Sequence, residues 1–324
     1  MLSLSIACIV DADIAQFVTS GGAQSIRVQC DRSVIRELRK IYRTVNIVSA
    51  VEGSNRTMEE ITRLRPDVVF NLAFSTLPSE VSFAGCLSIC GVPFTGSASK
   101  AIALSNDKVL SRMILRNAGV PVPNHVALPA RQHGAASLRP PLIVKPVSLG
   151  GSAGIYVDSV LNSIHGVNRL VRRIEQKFGV AAMCEEFIVG RDIRVGLVES
   201  KQGNFRISGL DEWQFPTERK GYGFKFQAIR SSAKLRRLRR IIHSTPTLSR
   251  RQKIDLIELA QVCVRSLGIR GYATIDLRLD ETQTFQVLEV NSNPGLYSES
   301  PLWRIPDFES NIRRIVNAAF LPDA

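Results

Sequence analysis

An α/β lobe followed by α+β lobes is the fold class that the sequence predicts, on three observations. Strand-like apolar runs alternate with amphipathic helices through the opening of the chain. A glycine-rich stretch follows a short apolar strand near the middle. Close to the C-terminus a long hairpin carries acids inside otherwise apolar strands. At 324 residues the chain is long enough for two or three modest domains, and 44% hydrophobic with 22% charged residues is the balance of a folded chain, which excludes wholesale disorder.

The elements follow in order. "LSIACIVD" reads as a strand, "DRSVIRELRKIYRTV" as an amphipathic helix and "NIVSAV" as a strand. "MEEITRLR" is a helix and "PDVVFNLAF" a fully apolar strand, which completes a βαβαβ unit and predicts a parallel sheet wrapped by helices. A helix over residues 79–90 precedes the short "GVPFTG"; residues 97–119 are helical, and Pro121 and Pro123 end that run. "PLIVKP" is a strand whose apolar run stops at Lys145, and "VSLGGSAGIYV" behind it suggests a flexible hairpin. "VLNSIHGVNRLVRRIEQKFG" is expected to be helical, and "AAMCEEFIVGRDIRVGLVES" to form two strands joined at Gly190. Residues 216–232 have no clear period and read as a mobile loop. A helix over 250–267, the hairpin "YATIDLRLDETQTFQVLEV" and a helix over 306–320 complete the chain, with no internal repeat.

No apolar run approaches the roughly 18 residues that cross a bilayer, and "MLSLSIACIVDAD" lacks a basic start and meets acids early, so it reads as a first strand and not a signal peptide. Cys86 and Cys90 lie one helical turn apart with no second pair to complete a zinc site, and the six cysteines fit a reducing, cytoplasmic setting. The net charge of +13 is concentrated in residues 234–253, "KLRRLRRIIHSTPTLSRRQK", which contain no acid. Such a run is either solvated surface or the contact for an acidic partner, from Lys234 to Lys253; no aromatic interleaves it, which argues against single-stranded nucleic acid.

Why should "VLEVNSNPGL" end a strand on so much oxygen? A turn would use Asn, Ser, Pro and Gly, whereas a hard cation wants carboxylate and amide oxygens on stiff elements. In "TIDLRLD" the carboxylate of Asp276 is flanked by apolar residues, and alternation puts Arg278 on its face. Glu289 ends the partner strand, and Asn291 shares its face. Two carboxylates and an amide on adjacent strands make a cage suited to Mg²⁺ (or Mn²⁺) with phosphate oxygens completing the shell. Lys145, and Lys108 in "LSNDK", offer point charges to phosphate, and Gly150 to Gly154 can close backbone N–H groups over it, although this is not the P-loop pattern.

At this point the sequence resembles the ATP-grasp superfamily, in its D-alanine:D-alanine ligase branch. The matching stretches are "GVPFTGSASKAIALSNDK", "AGVPVP", "IVKP", "GGSAG", "CEEFIVGRDIRV" and "IDLRLD...LEVNSNPG", in family order from Asp67 to Ser300. The resemblance implies an ATP-grasp fold with an N-terminal Rossmann-like α/β lobe: residues 1–97, a central lobe with the glycine-rich lid over 98–187, and a C-terminal lobe with the metal site over 188–324. It implies that ATP is the nucleotide, with Lys108 and Lys145 on its phosphates, Gly151 and Ser152 in the lid, Glu185, Phe187, Ile188 and Leu288 around the base, and Asp192 on the ribose. Asp276, Glu289 and Asn291 would hold two Mg²⁺, while Gly295 and Ser300 would face the substrate. Lys225, between Phe224 and Phe226, is similar to the lysine of the family's closing loop, with Lys220 as its rival. The implied reaction is ATP-dependent joining of a carboxylate and an amine through an acyl phosphate, and the implied assembly is a homodimer.

The chain departs from that pattern on the substrate side. "DADIAQFVTSGG" has no ammonium-gripping glutamate, Thr274 stands where the family has an arginine, Phe74 where it has a histidine, and Gly151 where it has a serine. Arg194 and Arg278 are the candidate replacements, or else structural ion pairs. The expectation is therefore a ligase of small carboxylate and amine substrates other than D-alanine alone. The alternatives are a phosphotransferase or a nucleotide-binding protein, told apart by whether phosphate release needs an added amine.

Overall fold

The computed structural model describes residues 2–12, 26–51, 55–73, 77–128, 137–151, 153–156, 158–201, 203–214, 242–296, 300–303 and 308–321. Strands β1 (Leu2–Asp11), β2 (Tyr42–Ala50) and β3 (Val68–Asn71) form a parallel sheet in the order β2-β1-β3. Helix α1 (Ile26–Ile41) stops earlier than its periodicity suggested, and β2 begins at Tyr42; the run Tyr42 to Val45 pairs with β1 instead of extending the helix. Helices α2 (Arg56–Leu64) and α3 (Leu77–Ile89) follow the pattern read from the sequence. Two cores enclose this sheet: Ile61, Val69 and Leu87 on one face, and Ile6, Cys8 and Val34 on the other.

The single helix expected over 97–119 is two, α4 (Ser99–Asn106) and α5 (Lys108–Asn117). Asp107 breaks them: its backbone is extended, and its Oδ1 accepts hydrogen bonds from the backbone N–H groups of Val109 and Leu110 at 2.9 and 3.0 Å. A second sheet contains β4 (His125–Leu128), β5 (Leu142–Pro146), β6 (Val160–Leu161) and β7 (Ala182–Glu186), in the order β4-β7-β5-β6. Val160 and Leu161, expected in a helix, pair with Ile143 and Leu142, and α6 (Val167–Phe178) starts only after the left-handed Gly166. Gly154, also left-handed, lies where a Cβ would come within 2.4 Å of Pro146, so the glycine-rich segment folds tightly back on β5.

The third sheet is antiparallel, in the order β10-β9-β8-β11-β12. Its strands are β8 (Gly190–Lys201), β9 (Asn204–Gln214), β10 (Ile242–Ser244), β11 (Tyr272–Asp280) and β12 (Phe285–Asn291). β7 and β8, expected as two strands joined at Gly190, are two strands that belong to different sheets, with residues 187–189 running between them. β4, β9 and β10 carry too little alternation to be read from sequence. Helix α7 (Arg250–Ser266) begins with a capping box, in which Ser249 Oγ accepts from Gln252 N–H and Gln252 Oε1 accepts from Ser249 N–H. α8 (Phe308–Ala318) closes the chain.

One face of the third sheet is apolar. Ile193, Val195, Ile275 and Leu277 meet Leu256, Ala260 and Val264 of α7, and Ala101 and Leu115 of α4 and α5 join the same core. These two helices, within the span expected for the central lobe, thus pack on the third sheet. The central sheet keeps a core of its own, built from Val144, Leu170, Ile174 and Cys184. Gly196 and Gly209 sit opposite each other on β8 and β9, where a Cβ on Gly209 would lie 2.1 Å from Pro301 O. Only glycine lets the segment that carries Ser300 rest on the strands. No helix among the described residues is long and apolar enough to cross a membrane.

Candidate nucleotide and metal site

The other face of the third sheet is polar, and register explains why. Asp276 lies directly opposite Glu289 on β12 and Arg194 on β8, while Thr274 lies opposite Asn291. Residues opposite one another in an antiparallel pair share a face, so Asp276, Glu289 and Asn291 come together as the alternation expected. A bulge at Leu288 separates the pairs Asp276 to Glu289 and Leu277 to Val287. Each carboxylate is held by a cation: Lys108 Nζ lies 3.0 Å from Glu289 Oε1, and Arg194 Nε donates to Asp276 Oδ1 at 2.6 Å. Among the described residues no cluster of three His, Cys, Asp or Glu side chains forms. The cage is two carboxylates and an amide, a hard-oxygen set that suits Mg²⁺ provided that phosphate or water completes the shell.

Lys145 and Glu185 face each other across β5 and β7 at 2.6 Å, both almost fully buried. Burial raises the Glu185 carboxyl, but Arg112 and Lys145 outweigh it and hold the group below its ordinary range. Burial is also the main influence on Lys145, which is lowered to about 8 although Glu185 opposes the shift, with Arg112 and Lys108 adding repulsion. Lys108 reaches the glycine-rich stretch as well, donating to Leu149 O at 2.7 Å. Phe187 and Ile188 are half-buried in the crossing between the lobes, and Leu288 is half-buried on β12.

Arg278 stands apart from the role expected for it. It donates to the carbonyls of Ile188 and Gly190 at 3.4 and 3.3 Å, pairs with Asp192 at 3.4 Å and stacks its guanidinium 5.2 Å from the Phe187 ring centre. These contacts put it in the wall with Phe187 and Asp192, since β11 pairs Arg278 with Asp192 and Asp276 with Arg194. Of the two arginines, Arg194 is the one beside the carboxylate cage. Ser300 is buried and its Oγ accepts from Leu302 N–H at 3.2 Å; Gly295 is half-buried beyond Asn291. Ser152, Phe74, Lys220, Lys225 and the loop 216–232 lie outside the described residues, as do 234–241 of the basic run; Arg250, Arg251 and Lys253 sit on the first turn of α7.

Sequence reasoning missed two charged groups. Arg112 follows Lys108 by one helical turn, a spacing that placed it on the same face. Asp211, fully buried, lies opposite Arg194 on a strand that the sequence did not announce. The residues present fit a nucleotide: among the described residues Arg278 Nε, on a side chain 5% exposed, has no hydrogen-bond partner, leaving a buried donor beside Phe187 and Asp192.

Residues 114–307, more than half of the chain, match the family model described as D-ala D-ala ligase C-terminus. A D-alanine–D-alanine ligase from Parvibaculum lavamentivorans is 29% identical, over 77% of each chain. An uncharacterised protein of Sinorhizobium fredii is 30% identical over 83% of this chain and 79% of its own. The crystal structure of D-alanine–D-alanine ligase from Bacillus anthracis complexed with ATP superposes with a TM-score of 0.72 over 98% of this chain and 97% of that one, at 19% identity.

Proposed function

The chain belongs to the D-ala D-ala ligase C-terminus family, with the ATP-grasp fold and ATP-dependent carbon–nitrogen ligation that go with it, and from that premise we propose that it joins a small carboxylate to an amine other than D-alanine alone. The observation that carries the reading is the meeting of two halves of one site: the Asp276, Glu289 and Asn291 cage beside a buried Lys145–Glu185 pair, with Lys108 touching both the glycine-rich stretch and the cage. On this reading Glu185, Phe187 and Ile188 receive the base and Asp192 the ribose. Lys108 and Lys145 orient the phosphates, and Arg194 stands beside the reacting carboxylate. Asp276, Glu289 and Asn291 would hold a pair of Mg²⁺ ions, which would supply neutralisation of phosphate charge.

The substrate side supports a changed specificity. Thr274 is buried opposite Asn291, where the family's arginine would reach the acyl oxygen, and a threonine offers no charge to an oxyanion. The test is ATP hydrolysis and product analysis by mass spectrometry with D-alanine, other amino acids and small carboxylates. Phosphate release that needs both an amine and a carboxylate, with little or no D-alanyl-D-alanine, is expected. Efficient D-alanyl-D-alanine synthesis would refute the changed specificity, and phosphate moved onto a stable ester would refute ligation.

A further inference from the structure

Helix α5 carries three cations at one-turn spacing, Lys108, Arg112 and Arg116, and the nucleotide reading uses only Lys108. Arg112 is 2% exposed and heads the fully buried side chains in volume. Its Nη2 donates to Leu288 O at 2.7 Å and lies 2.8 Å from Glu185 Oε2, and its Nη1 meets Met183 Sδ at 3.6 Å. Met183 and Glu185 belong to β7 of the central sheet; Leu288 is the bulged residue of β12, immediately before Glu289. A buried guanidinium is costly, and an apolar side chain would fill the same space, so packing alone does not account for it. What a guanidinium adds is a planar head whose N–H bonds point in fixed directions, and here Nη2 reaches both oxygen acceptors while Nη1 meets Met183. Here the two groups lie on strands of different sheets, one at the nucleotide wall and one at the metal cage.

We propose that Arg112 is a positioning residue that locks the Glu185 carboxylate and the backbone beside Glu289 into one relation, so that a single nucleotide meets both the wall and the cage. The proposal rests on the nucleotide reading above. Arg112 also shares Glu185 with Lys145, which leaves the lysine charge incompletely spent and available to phosphate. The charged groups around Lys145 are Glu185 from β7 and Arg112 and Lys108 from α5. Lys145 is lowered to about 8, so its charge is lost as pH rises through that region, and phosphate binding is expected to fall with it. Loss of the Arg112 charge moves that decline to higher pH.

The experiment is calorimetric binding of MgATP to the full chain from pH 7 to pH 10, for wild type, Arg112→Met and Arg112→Lys. Arg112→Met is expected to bind at least about tenfold more weakly at pH 7, with its alkaline decline shifted upward. Arg112→Lys keeps the charge but cannot span both partners, so it is expected to bind several-fold more weakly with the decline unmoved. Arg112→Met binding within twofold of wild type, or weakened with an unmoved decline, overturns the proposal. If Arg112→Met does not fold, Arg112→Lys decides alone, and wild-type binding there overturns it. A wild type that takes no MgATP would defeat the nucleotide reading as well, and shows without any variant.

Discussion

Glu289 is held from one side by Lys108 and shares its face with Asp276 and Asn291. Replacing its carboxylate by an amide keeps the shape and removes the charge that a divalent ion needs. Glu289→Gln is expected to lower turnover on the order of 100-fold, the few kcal/mol that metal-assisted phosphoryl chemistry is worth. The circular dichroism spectrum and melting temperature should stay near wild type, and Mn²⁺ binding read by electron paramagnetic resonance should weaken. A folded Glu289→Gln protein with full activity would remove the cage from the mechanism. Three members of this cage were legible because strand alternation places them without further information. Arg278 and Arg194 were not separable in that way: both are strand arginines beside acids, and only register shows one at the wall and the other at the cage.

Among the elements, β8 and β9 are shaped by what crosses them. Gly196 and Gly209 face each other, and the backbone at Pro301 lies against both. A methyl group on Gly209 would meet Pro301 O at 2.1 Å, so Gly209→Ala must push the segment with Ser300 off the sheet. We expect a loss of about 1–3 kcal/mol in urea unfolding, the usual cost of overpacking, together with a raised KM for the acceptor substrate. An unchanged urea midpoint and unchanged kinetics would show that the close approach has no consequence. The sequence signals were uneven here. β11 and β12 alternate cleanly and were read in full, whereas β9 mixes Ser208, Gly209 and Asp211 into its run because its partners need small or charged groups there.

Taken whole, the described residues form four cores that do not divide evenly. Tyr272, Val198, Leu296 and Leu302 share a core with Ile6, Phe70 and Ile312, so the N-terminal sheet and the C-terminal sheet are one body in packing. The central sheet with α6 buries Val144, Leu170, Ile174 and Cys184 only among its own residues. At this junction Lys108, Arg112 and Lys145 gather against Glu185 and Glu289. Native-state hydrogen exchange should therefore find amides of β5, β7 and α6 opening together at a free energy a few kcal/mol below those of β8 and β11. MgATP should slow the first group and leave the second nearly unchanged; uniform protection across all three sheets would contradict it. The isolation of the Val144 and Leu170 core means that the grip on a nucleotide and the melting of a subdomain are one equilibrium. A ligand that stabilises the grip raises the first of two melting transitions, and heat that loosens the first transition empties the site while the rest of the protein is still folded.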